Sequence, residues 1–185
     1  MTQSTDSPLA ALLLTNRLTP VETKPFSAGQ FWKLVDAVPR LEDLLTLDPD
    51  GIQATAGIDP EEALRVRTLL DATRAFAFER ERLEEAGMAI ISAVDDRFPS
   101  VLLERLGTNC PPFLIIAGPT ERLSDGGLSI AGSRNASEET LDVTRSAAVA
   151  AVDHGWPVIT GLAKGVDQAA IEAAAAAGGL TVGIP

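Results

Sequence analysis

An α/β fold is predicted for this 185-residue chain: a doubly wound parallel sheet over residues 88–185, preceded by a small all-helical domain over 1–87. Two observations carry that expectation. Before Gly87 the apolar residues recur at helical spacing and no convincing strand appears. From Met88 onward, short β-rich runs alternate with helical ones, the pattern of parallel strands joined by crossover helices. With 45% hydrophobic and 22% charged residues, the chain can bury a sizeable core.

The elements follow in order. Leu9 to Leu14 is an apolar run with Asp6 before it and no cation. A secretory signal needs a basic start, and a membrane helix needs about 20 apolar residues, so the run reads as the buried face of a short helix ending near Arg17. Ser27 and Gln30 fit a capping box, followed by the apolar face Phe31, Leu34 and Val35. Asp59-Pro60-Glu61-Glu62 is a second start, with Asp at N-cap, Pro in the first turn and acids at the positive helix end. Helical spacing then runs through Ala63, Val66, Leu69, Leu70, Phe76 and Leu83, with a break expected near Asp71 and Gly87 as the cap. Strands are expected at 89–93, 113–117, 128–131, 157–160 and 180–184. Helices are expected at 99–106, 137–154 and 166–177, the last holding the alanine run 173–177 against the sheet. Sheets of this kind bind ligands beyond the carboxyl ends of their strands. The sheet reads as incomplete at Pro185, as in a truncated chain or one whose remaining edge comes from a partner.

Composition narrows the function. Lys plus Arg number 15 against 26 Asp plus Glu, a net charge of −11, which excludes binding driven by bulk positive charge. One cysteine, Cys110, rules out an internal disulfide and a cysteine zinc site and suggests a reducing compartment. One histidine, His154, argues against a histidine metal site or a Ser-His-Asp triad. No metal, cofactor or catalytic residue is expected.

Two strand-to-helix loops carry the chemistry. The first is Ala131-Gly132-Ser133-Arg134-Asn135-Ala136-Ser137. Glycine admits close backbone approach, Ser133 offers a hydroxyl, Arg134 a fork for phosphate, and the helix start free N–H groups. The second, Thr160-Gly161-Leu162-Ala163-Lys164-Gly165-Val166-Asp167, repeats the arrangement with a lysine. Adjacent parallel strands would set Arg134 and Lys164 on one rim, a two-cation phosphate site on an acidic protein. A Gly-Ser turn opening a helix is common in its own right, and Asp167 could be only a cap. Neither loop has the Walker A spacing or the Gly-x-Gly-x-x-Gly pattern, which argues against ATP hydrolysis and NAD binding.

The segment from 89 to 185 resembles the DprA/Smf family of DNA-processing proteins. The matching residues are Asp96-Arg97-Phe98-Pro99 with Leu102 and Leu103, Pro111-Pro112-Phe113-Leu114, Gly132-Ser133-Arg134 and, most specifically, the run from Thr160 to Asp167. The resemblance implies a Rossmann-like domain that binds single-stranded DNA without catalysis, protects incoming strands and helps load RecA in natural transformation, as a cytoplasmic homodimer with no membrane contact. By the same resemblance Gly132, Ser133 and Arg134 would line a phosphate pocket, Gly161, Lys164 and Gly165 its second lobe, and Asp167 would brace the loop. Two positions depart from the family: Ile171 follows Ala170 where a histidine is usual, and Phe98 replaces a tyrosine.

Other residues read as structural. His154 suits a helix C-terminus, Cys110 an apolar filler, and Trp32 and Trp156 packing rather than base stacking. The Glu79–Glu85 run with Arg80 and Arg82 reads as a solvated face, and Glu138, Glu139 and Asp142 as a helix start. A DNA-binding module therefore ranks first and a sensor of a nucleotide-derived ligand second. A nucleotide-processing enzyme ranks third, since no Pro-Gly-Gly-x-Gly-Thr loop occurs.

Overall fold

The structure is a computed structural model and describes residues 6–185. It is an α/β fold whose contacts divide into two compact units, Met1–Ser124 and Asp125–Pro185. The change from helices to strands falls earlier, between Glu85 and Met88.

The first unit is built around α1 (Asp6–Thr15). The sequence suggests one buried face, but Ala10, Ala11, Leu12, Leu13 and Leu14 are all buried, so the helix is sheathed on every side. A helix apolar all round has no other stable place than the centre of a core. It ends at Thr15 rather than Arg17 because Asn16 takes over the chain direction: its amide donates to Leu12 O, and its Oδ1 accepts from the Leu18 and Thr19 N–H groups. Around it lie α2 (Ala28–Ala37), a 3-10 segment at Leu41–Leu45, α3 (Pro49–Ala56), α4 (Pro60–Leu70) and α5 (Thr73–Glu85). The capping box of α2 is present, with Ser27 accepting from Gln30 N and Gln30 Oε1 accepting from Ser27 N. Asp59 caps α4 as expected, and the helical run breaks at Asp71–Ala72. The expected solvated face on α5 carries Arg80–Glu84 and Arg82–Glu79 ion pairs.

The first two strands depart from the sequence expectation. β1 (Met88–Ser92) and β2 (Phe113–Ala117) pair antiparallel, from Met88↔Ala117 to Ser92↔Phe113, as a separate two-stranded sheet. The connection, residues 93–112, carries one short helix, α6 (Ser100–Leu106), and Phe98, Leu102, Leu103 and Cys110 fold back onto Ile91 and Ala93 as a small core of their own.

The second unit is parallel. β3 (Leu128–Ser129), β4 (Val158–Thr160) and β5 (Thr181–Gly183) lie in that order, with Leu128 opposite Val158 and Val158 opposite Thr181. The crossovers are α7 (Glu138–Asp153) and α8 (Val166–Ala176), which pack on each other and share one apolar cluster of Ala148, Ala151, Val158, Ala170 and Ala174. Four alanines in that cluster let the helix backbones approach each other and the sheet closely. Among the described residues no helix is long and apolar enough to cross a membrane.

Candidate functional site

Both candidate loops leave the carboxyl ends of neighbouring strands, β3 and β4. The ladder continues one residue past β3, where Ile130 N donates to Ile159 O at 2.9 Å, so the two loops start side by side. Each then opens a helix. Ser137 caps α7, its Oγ accepting from Thr140 N at 3.3 Å. Gly165 occupies the cap position of α8 and supplies no side-chain cap.

Asp167 joins the two loops. It is 4% exposed, in the first turn of α8, and its two carboxylate oxygens accept from different loops: Oδ1 from Gly132 N at 3.2 Å and Oδ2 from Gly161 N at 3.0 Å. A buried charge is tolerable only when hydrogen-bonded, and here both oxygens are served by backbone donors beside a positive helix end. A second tie runs between loop backbones, Val166 N donating to Ser133 O at 3.2 Å. Gly165 lies at φ +82, and a Cβ there would run into the Ser133 carbonyl oxygen and come within 2.9 Å of the Arg134 backbone. The position therefore needs glycine on two counts, conformation and contact.

Ser133, Arg134 and Lys164 are exposed. Ser133 Oγ accepts from Asn135 N at 3.1 Å, which rounds the first loop. Arg134 and Lys164 have no hydrogen bond or ion pair to another described residue, so their charges face solvent. Glu138 and Asp142 both hold Arg145, at 2.8 and 2.6 Å, and these contacts, Glu138 first, raise the already high guanidinium pKa. Leu162, half exposed between the two glycines of its loop, adopts φ +58, a sparsely populated state for a leucine that clusters at functional sites. Sequence reasoning passed over it, because only a backbone angle reveals it. Among the described residues no three His, Cys, Asp or Glu side chains gather as a metal site requires.

The remaining candidates divide. His154 is the C-cap of α7, its Nδ1 2.7 Å from Ala150 O. Cys110 is buried, and burial pushes its thiol pKa up, away from thiolate chemistry. Trp32 packs edge-on against Phe31 and donates its Nε1–H to Cys110 O at 2.8 Å. Trp156 corrects the sequence expectation: it is 54% exposed rather than packed. The strand that follows it is buried, but α7 ends in a turn that carries the indole outward.

Residues 89–184 match the family described as DNA recombination-mediator protein A. Among solved structures, the chain is similar to the X-ray structure of DNA processing protein A (DprA) from Streptococcus pneumoniae, at 20% identity and a TM-score of 0.49. That alignment covers 85% of this chain and 57% of the other, so the chain spans little more than half the length of that relative. No curated protein matches the chain.

Proposed function

This chain belongs to the DNA recombination-mediator protein A family, and from that premise we propose that it binds single-stranded DNA by its phosphate backbone, without catalysis. The observation that carries the reading is the Asp167 carboxylate, which draws Gly132 and Gly161 together and so sets two strand-end loops, each bearing an unpaired cation, on one rim. Two solvent-facing cations on adjoining loops suit successive phosphates and read no sequence. Gly132, Ser133 and Arg134 form one lobe, Gly161, Lys164 and Gly165 the other, and Asp167 holds them in register. We assign the helical region 1–87 an accessory role beside the DNA-binding region 88–185. On the same reading the protein acts in the cytoplasm in DNA uptake and processing, as a homodimer that delivers its strand to RecA.

Fluorescence anisotropy of a labelled oligo-dT tests the proposal. Saturable binding by the full chain, weakened about tenfold or more in Arg134→Ala and in Lys164→Ala, is the expected result, since each removes a charge-assisted phosphate contact. Binding unchanged in both variants would remove the rim from the reading. A folded chain that ignores DNA but gains thermal stability with a mononucleotide would point instead to a small-ligand sensor.

A further inference from the structure

At the amino ends of β3 and β4, opposite the phosphate loops, lies an open cavity of about 540 Å³. Asp125, Gly126 and Gly127 precede β3 on one side, and Gly155, Trp156 and Pro157 precede β4 on the other. The indole is rigidly presented. Gly155 closes α7 at φ +74, its N–H donating to Val152 O at 2.8 Å, while Trp156 N donates to Ala151 O at 2.9 Å. This pair of bonds is the Schellman motif, and it fixes the backbone on which Trp156 stands. The His154 ring lies 5.8 Å away, tilted by 43°, and supports one edge of the indole. Pro157 O is in turn tied to Leu128 N at 2.9 Å, so both walls are anchored to the sheet.

An indole held half in water, with a second ring beside it, is an aromatic platform whose binding face is already ordered. Gly126 and Gly127 on the opposite wall offer bare peptide groups rather than side chains. No cation lines the cavity, and Asp125, its one charged lining residue, is engaged within the protein. A flat heteroaromatic ring is favoured there, stacking on Trp156 and placing its polar edge against the backbone. We infer that this cavity binds a nucleobase, as a site separate from the phosphate loops, with Trp156 as the stacking residue and His154 as its support.

Tryptophan emission of the full chain reads the site directly, because the protein contains no tyrosine and only two tryptophans. Trp32 is packed and hydrogen-bonded, so an exposed-type emission belongs to Trp156. Adenosine, which carries no phosphate, is titrated into the wild type and into Arg134→Ala. Saturable quenching in both is expected, and it would assign a site that works without the phosphate rim. Equilibrium dialysis with labelled adenosine then compares Trp156→Phe, which keeps a ring, with Trp156→Ala. Retention in the first and a loss of about tenfold in the second, the effect of one stacked base, is expected. Oligo-dA supplies the second source of the same ring. Quenching by the oligonucleotide but not by adenosine assigns the base to a strand, and quenching by both extends the site to free nucleosides. No quenching by either, or equal adenosine binding in Trp156→Ala, overturns the inference whether or not the phosphate rim binds DNA.

Discussion

The residue on which the candidate rim turns is Asp167, and its chemistry makes a sharp prediction. Both groups it faces, Gly132 N–H and Gly161 N–H, are donors. Asparagine at this position has nearly the same shape but offers one acceptor and one donor, so one N–H would meet an NH₂. Asp167→Asn should therefore destabilise the protein by on the order of 2 kcal/mol, close to Asp167→Ala, instead of rescuing it. Thermal unfolding of the two variants checks this, and oligonucleotide affinity should fall with them. Gly165→Ala should act on the same loops by clash and positive φ, with a loss of roughly 1–3 kcal/mol. A different carboxylate gives a pH signature. Arg97 grips Asp95 through Nε and Nη2, at 3.0 and 2.6 Å, and its N–H also donates to Asp95 Oδ1. The Arg97 side-chain hydrogen bond is the largest cause holding the Asp95 carboxyl below its ordinary range. A carboxylate depressed in the folded state stabilises it above the unfolded pKa of about 3.9, and that contribution is lost as pH falls through the lower folded value. Asp95→Asn should thus cost roughly 0.5–1 kcal/mol at neutral pH, the pair being partly solvated, and nothing well below pH 4. Urea titrations at several pH values decide it. At this scale the sequence located the two glycine-bearing loops, which leave the ends of β3 and β4 as expected. It was silent about partners, because the Gly132 to Asp167 bond joins residues 35 apart in the chain.

Elements were legible where a local signal starts or stops them. Ser27, Asp59 and Ser137 each cap the helix their spacing predicts. Asp48-Pro49 carries the same signal as Asp59-Pro60 and starts α3, with Asp48 Oδ1 accepting from Gly51 N at 2.8 Å, yet its short apolar face hid the helix. Pairing direction was less legible. Alternating strand and helix patterns suggest parallel strands throughout, but nothing local records that the segment around α6 folds back onto β1. Trp156 shows the same limit, since its exposure is set by the turn that ends α7 and not by its neighbours in sequence. The seam between α7 and α8 gives the element-scale test. Ala148, Ala170 and Ala174 are 0% exposed, so a larger side chain has no room without parting the helices. Ala170→Leu should destabilise by about 1–3 kcal/mol through overpacking, read by chemical denaturation.

For the whole molecule, charge sets the binding regime. With a net charge of −11 and Arg134 and Lys164 as the proposed contacts, few counterions can be released from a strand. The logarithm of the binding constant should fall against the logarithm of salt with a slope of roughly −1.4, two phosphates' worth, and an oligonucleotide titration over several salt concentrations measures it. A much steeper slope would mean cations beyond Arg134 and Lys164 take part. The alanine seam has a thermal consequence as well. Alanine removes little apolar surface from water, so opening α7 and α8 adds little to the heat capacity, and a small heat-capacity change flattens the dependence of stability on temperature. The leucine- and phenylalanine-filled core around α1 has the opposite character. On cooling, amide exchange from α1 should therefore vary steeply while that from α7 and α8 stays nearly level, leaving the loops that carry Arg134 and Lys164 on a support whose firmness is indifferent to season.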